Sequence, residues 1–174
     1  MSACLVFEPD LLNTTPRVQL SDASTPIEEL IETKTPSIVS NENVMIYLIA
    51  IEDAGVSGKK IGCDDSLVPF ELPSTSTLDF PWKAVETLLS LNERYVSKSG
   101  FYNAFYQSDL KLIHFETQDG IARVELEGEL ILGCVCDSPR IEEQLYATIL
   151  QDNRIADVEI YINGKILEDV LSLK

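Results

Sequence analysis

Side chains able to do chemistry are scarce in this sequence. It carries one histidine, His114, and four cysteines, Cys4, Cys63, Cys134 and Cys136. Three thiolates and an imidazole can hold zinc tetrahedrally, so Cys63, Cys134, Cys136 and His114 are the sharpest metal candidate. The spacing argues against it: Cys134 and Cys136 stand closer than the usual two-residue knuckle allows, and no second knuckle follows. No metal and no other cofactor is expected. In an exported protein these cysteines imply a disulfide between Cys63 and either Cys134 or Cys136, whereas in a reducing compartment they are buried free thiols.

No catalytic residue is expected either. His114 lies in an alternating segment with no serine or cysteine in a nucleophile motif, as a surface or packing histidine does. Asp64 and Asp65 are adjacent carboxylates, which diverge in extended chain, and the alternating oxygen ligands of a calcium loop are missing. Loop solvation or backbone capping is their expected work. The glycines and lysines between Gly55 and Gly62 suggest a phosphate loop, but the Walker spacing and its Ser or Thr are absent, which leaves a mobile connection. Phe101, Tyr102, Phe105 and Tyr106 concentrate four rings in one loop. They form a candidate binding surface for a protein, a glycan or a small apolar ligand, or they close one end of the core.

The elements that would position these groups are legible from periodicity. The run from Val44 to Ile51 is apolar on both faces and β-branched, as in a strand buried in mid-sheet. Leu67 to Leu72 is extended, and Pro69 and Pro73 restrict it to a sheet edge or a covering segment. Asp79 and Pro81 open a first helix whose buried stripe is Trp82, Val85, Leu88, Leu89 and Tyr95. Leu110 to Thr117 and Ile121 to Glu127 make a hairpin turning at Gln118, Asp119 and Gly120. A second helix starts at Asp137-Ser138-Pro139 and buries Ile141, Leu145, Thr148 and Ile149. Ala156 to Ile162 is a strand, Asn163-Gly164 a tight turn, and Lys165 to Leu173 a short closing strand or turn. This order predicts an α+β two-layer sandwich, with two helices on one face of a mostly antiparallel sheet.

Composition limits the partners. With 29 acidic against 13 basic residues the formal charge is −16, so nucleic acid is not expected as a partner and simple adsorption to anionic lipid is disfavoured. The longest apolar run, Val44 to Ile51, falls far short of the roughly 18 to 20 residues that span a bilayer. Residues 1–42 are rich in Ser, Thr, Pro and acidic side chains and are expected to be a flexible linker, with one brief helical turn at Ile27 to Ile31; residues 43–174 form the domain. Met1-Ser2-Ala3-Cys4 contains no apolar leader; small residues before a cysteine match the end of a lipoprotein signal, with Cys4 as the lipidated residue, or else mark a soluble N-terminus with an incidental cysteine.

The stretches I-G-C-D-D-S-L-V-P-F-E-L, F-Y-N-A-F-Y-Q-S-D, G-I-A-R-V-E-L-E-G, D-S-P-R-I-E-E-Q-L-Y-A-T-I-L and V-E-I-Y-I-N-G-K, running from about Asn43 to Leu167, resemble the GerMN (Germane) domain of sporulation and spore germination proteins. The resemblance implies a ring-building-motif-like fold in a bacterial, exported and often lipid-anchored protein, with no catalytic residues. It implies a scaffolding role in the cell envelope that docks another envelope protein or further copies of the same chain. Some relatives carry two such domains, and the single copy here leaves the sporulation role open.

Overall fold

The structure, a computed structural model, describes residues 43–73 and 80–172. The candidate lipidation site Cys4, the linker at residues 1–42 and the helix-capping Asp79 lie outside them.

Among the described residues, seven strands and three α-helices follow in the order β1 (Asn43–Ala50), β2 (Lys59–Lys60), a 3-10 turn (Gly62–Asp64), β3 (Ser66–Pro73), α1 (Phe80–Ser90), β4 (Asp109–Gln118), β5 (Ile121–Glu129), α2 (Asp137–Leu150), β6 (Asp157–Ile162), β7 (Lys165–Ile166) and α3 (Leu167–Ser172). The architecture is α+β. The strands divide into two sheets, an antiparallel one ordered β1-β3-β2 and a mixed one ordered β4-β5-β6-β7. Strands β5 and β6 are parallel because α2 carries the chain back across the sheet between them, the connection that parallel neighbours require.

The β4–β5 hairpin turns through Asp119 and Gly120 with φ of 52° and 81°, the left-handed pair of a two-residue turn. Asn163 and Gly164 repeat this between β6 and β7, with φ of 50° and 76°. Along β5, Ala122, Val124 and Leu126 are buried while Arg123 and Glu127 are exposed, so the mixed sheet has one covered face and one wet face. Ile113 makes a bulge in β4, where the register slips between Leu112 and His114.

Helices α1 and α2 pack on each other and tie the sheets together, α1 against β1 and β4, α2 against β1 and β6. One continuous cluster holds Ile46 and Leu48 from β1, Val85 and Leu88 from α1, Val124 and Leu126 from β5, Ile141 and Leu145 from α2, and Ile160 from β6. Burying a side chain of this size stabilises the fold by about 1.5–3 kcal/mol, so these contacts carry most of the gain.

Two strand assignments differ from expectation. β1 is an edge strand and β3 the middle one. Register explains why prolines are tolerated in a middle strand. Tyr47 of β1 turns its N–H and C=O away from β3, toward α2, and stands opposite Pro69. Backbone groups alternate in direction along an antiparallel pair, so the backbones of Pro69, Glu71 and Pro73 also point outward from β1. β2 reaches only Ser66 and Leu67, so neither proline is asked for a hydrogen bond.

The first helix also ends earlier than its apolar spacing suggests. Tyr95 lies beyond α1 and is 47% exposed, while Trp82 is half-buried. The segment 51–60 is held in place: Asp53 accepts from Ser57 N (2.5 Å) and Ser66 Oγ (2.6 Å), Gly55 N donates to Ser66 Oγ (2.8 Å), and Lys59–Lys60 pair with β3. The mobile connection expected there is therefore a bonded one. These hydrogen bonds, Ser66 first and then Ser57, hold the Asp53 carboxyl below its ordinary range.

Candidate functional site

Several of the buried polar side chains among the described residues line one flank of α2. Asp137, Arg140, Gln144 and Thr148 are all buried there, three or four residues apart, beside the apolar stripe of Ile141, Leu145 and Ile149. The lower half of this seam substitutes for a missing strand. Gln144 Nε2 donates to Tyr47 O (2.9 Å), Tyr47 N donates to Thr148 Oγ1 (3.1 Å), and Gln151 Nε2 donates to Met45 O (2.8 Å). The free edge of β1 is completed by Tyr102, which exchanges two backbone hydrogen bonds with Ile49, at 2.9 and 2.7 Å. An edge that would template another chain is thus satisfied internally.

The upper half is ionic. Arg140 Nε donates to Asp65 Oδ2 (2.6 Å) and Nη1 to Asp137 Oδ1 (3.2 Å), with Asp65 and Asp137 almost fully buried. Tyr102 OH donates to Asp137 Oδ1 (2.9 Å), and Gly133 N and Cys134 N donate to Asp137 Oδ2 at 2.8 and 3.1 Å. Glu52 N donates to Asp65 Oδ1 (2.9 Å). Burial pulls the Arg140 pKa down, but hydrogen bonds and charge from Asp65 and Asp137 outweigh it and raise it overall, so the guanidinium stays charged. Burial first, and then Asp137, push the Tyr102 phenol up, so it stays protonated.

This network fastens the turn after β2 to the start of α2, and a covalent bond spans the same junction. Cys63, at φ 60° in the 3-10 turn, is joined to Cys136, the residue that precedes α2. The pairing left open by the sequence is therefore Cys63 with Cys136. Cys134 is a free, exposed thiol whose Sγ accepts from Arg140 Nη1 at 3.6 Å. Two of the three thiols in the zinc candidate are consumed, and among the described residues no group of three or more metal-ligating side chains converges. His114 projects from β4, its side chain 48% exposed and 3.4 Å from Glu116 Oε2. Asp64 is exposed against Lys60 and Asp65 is buried, so the adjacent carboxylates do diverge.

Of the two readings of the aromatic loop, the one in which it closes an end of the core holds, and the candidate binding surface of four rings does not. Tyr102 and Phe105 are 3% and 1% exposed, and Phe101 and Tyr106 are half-buried, so no open platform of four rings exists for a glycan to stack on. The segment is drawn inward by its hydrogen bonds: Tyr102 pairs with Ile49 through the backbone, Ala104 N donates to Gln144 Oε1 (2.8 Å), and the Asn103 side chain donates from Nδ2 to Leu91 O (2.8 Å). Sequence reasoning missed Arg140, Gln144 and Asp65 as one system. The available signal was the run of hydrogen-bonding residues at 137, 140, 144, 148 and 151, beside the apolar stripe and on one flank of a helix.

It also missed Arg94 and Tyr95. The chain from Arg94 to Asn103 doubles back as a small hairpin, with Val96 N donating to Phe101 O (3.0 Å) and Asn103 N to Arg94 O (3.0 Å). The Arg94 guanidinium lies 5.5, 5.8 and 5.7 Å from the ring centres of Tyr95, Tyr102 and Tyr106.

No family model and no curated protein matches the chain. Among solved structures it is similar to the tandem GerMN domains of the sporulation protein GerM from Bacillus subtilis, at 15% identity and a TM-score of 0.49, over 71% of this chain and 39% of that one, so it spans well under two thirds of that structure. It is similar to the first GerMN domain of the same protein at 20% identity and a TM-score of 0.49, over 72% and 86% of the two chains. It is also similar to a Clostridium perfringens protein provisionally named a lipoprotein, at 18% identity and a TM-score of 0.39, over 74% and 78%. All three fall below one quarter identity and a TM-score of one half, and none bears on what this chain binds.

Proposed function

We propose that this chain is a non-catalytic interaction domain that works outside the cytoplasmic membrane of a bacterium, carried on the acidic segment 1–42 and tethered through Cys4, where it docks another envelope protein or a further copy of itself. The observation that carries this reading is the bond between Cys63 and Cys136, because such bonds persist in oxidising compartments and are rare in reducing ones. The polar seam supports the non-catalytic part. Asp137 accepts hydrogen bonds on both oxygens from four named donors and Asp65 on both from two, and both side chains are almost fully buried, so neither carboxylate is turned toward a reactant in solvent.

Alkylating free thiols in intact cells before lysis, followed by peptide mapping, tests the compartment. The expected result is alkylation at Cys134 alone, with Cys63 and Cys136 recovered as one cross-linked peptide pair. Alkylation of all three would overturn the extracytoplasmic assignment. For the docking role, light scattering on the purified chain is combined with cross-linking in envelope membranes; a strict monomer that cross-links to nothing would count against it.

A further inference from the structure

Arg94 is set apart from the other described arginines. Arg123, Arg140 and Arg154 each lie against a carboxylate, at 3.1, 2.6 and 2.6 Å, whereas Arg94 has no ion pair among the described residues although the chain carries 29 acidic side chains. Nor is it a loose surface side chain. Its guanidinium rests on three tyrosine rings, and its backbone carbonyl is bonded across the hairpin to Asn103. Tyr102, one of those rings, is in turn fixed by Asp137 and lies 5.1 Å from the Arg140 guanidinium. An exposed guanidinium held this way has lost much of the rotamer freedom that a surface arginine otherwise gives up on binding.

Beside it stands Tyr95, the exposed tyrosine, and at the turn of the same hairpin Lys98, also exposed and without an ion pair among the described residues. The nearest carboxylate in sequence, Glu93, is engaged with Ser97 N at 3.0 Å. Arginine and tyrosine are the residue types in which the energy of protein interfaces concentrates.

We propose that Arg94, Tyr95 and Lys98 form a docking surface for an acidic peptide segment of a partner protein. This rests on the interaction-domain reading above and names the chemistry of the partner. The guanidinium fork fits a carboxylate through two parallel hydrogen bonds, and the Tyr95 ring offers an apolar flank to a neighbouring peptide side chain. A phosphate polymer, with a charge at every step, would meet the remaining acidic surface within one or two units. A peptide with a few spaced carboxylates can meet the two cations while its other charges avoid Glu93, the carboxylate held at Ser97 N, and at physiological salt the chain's more distant charges are screened beyond about 8 Å.

The test is fluorescence anisotropy at 0.15 M salt with a labelled peptide carrying a few glutamates separated by neutral residues, against the same peptide with glutamine at those positions and a polyuronate. The intact chain should bind the glutamate peptide at least tenfold tighter than the other two. Arg94→Gln should weaken that binding about tenfold, and Arg94→Lys nearly as much, because an ammonium lacks the planar fork. Tyr95→Ser should weaken it several-fold with an unchanged circular dichroism spectrum. Equal binding of the glutamate and glutamine peptides, preference for the polyuronate, or indifference to both Arg94→Gln and Tyr95→Ser would overturn the proposal. Envelope cross-links that survive Arg94→Gln would leave the interaction-domain reading standing while removing this surface from it.

Discussion

Gln144, near the middle of α2, donates from its side-chain amide to the backbone carbonyl of Tyr47 across 2.9 Å, and its Oε1 accepts from Ala104 N at 2.8 Å. A single fully buried side chain thereby bonds the edge of β1 and the segment that follows the Arg94 hairpin. Gln144→Leu keeps similar volume but leaves a buried carbonyl and a buried N–H without partners. Each such group costs about 1–3 kcal/mol, so chemical denaturation should show a loss of about 3 kcal/mol. A loss within error of zero would mean that water reaches both groups.

Arg140 presents the ionic counterpart. Replacing it with methionine strands Asp65 and Asp137 in the interior, where an unpaired charge costs about 3–5 kcal/mol. In a double-mutant cycle, Arg140→Met combined with Asp65→Asn should destabilise by clearly less than the two changes added. Strict additivity would show that the 2.6 Å contact is not energetically coupled.

The bond between Cys63 and Cys136 closes a sequence separation of 73 residues. A cross-link over a loop of that length stabilises by about 4 kcal/mol in the chain-entropy account. Cys63→Ser with Cys136→Ser should lower the denaturation midpoint accordingly, and reductant should produce the same shift in the unmodified chain. Cys134→Ser should leave the midpoint unchanged, and a matching shift there would contradict the assignment of the pair.

Glu142 lies on α2 with Glu143 and Glu168 nearby, and burial first, followed by these two charges, raises its pKa. The sign follows from linkage: an acid whose folded pKa exceeds its unfolded one holds its proton more tightly when folded, so its ionised form opposes folding above the folded pKa. Glu142→Gln should therefore raise the thermal midpoint at neutral pH, and the gain should vanish as the pH falls through the folded pKa to the unfolded value. A gain independent of pH would exclude ionisation as the cause.

Much of this fold is written in local pattern. The β4–β5 hairpin follows from alternation and the Asp119-Gly120 turn, and the apolar stripe of α2 follows from helical spacing. What escaped the sequence is tertiary. The apolar run of β1 is continuous whether a strand or a helix covers its outer edge, because both remove it from water; only the amides of Gln144 and Gln151 tell the two apart. The prolines of β3 were correctly tied to absent hydrogen bonds, but the absence concerns one side of the strand and not its rank in the sheet. The four rings of 101–106 were ambiguous because aromatic composition is the same in a core lid and a docking face. The most exposed ring among the described residues is Tyr95, whose spacing places it on the buried side of α1.

The outward backbone positions of β3 carry one last consequence. Past Leu67, two of the three residues facing away from β1 are imino acids, Pro69 and Pro73, and on the opposite flank the amides of α2 stopper β1. On the β3 flank this leaves only the two-residue β2 and Glu71, too short an edge to template growth. Copies of this chain crowded along a surface are thereby kept from zippering into fibrils through it, however densely they stand.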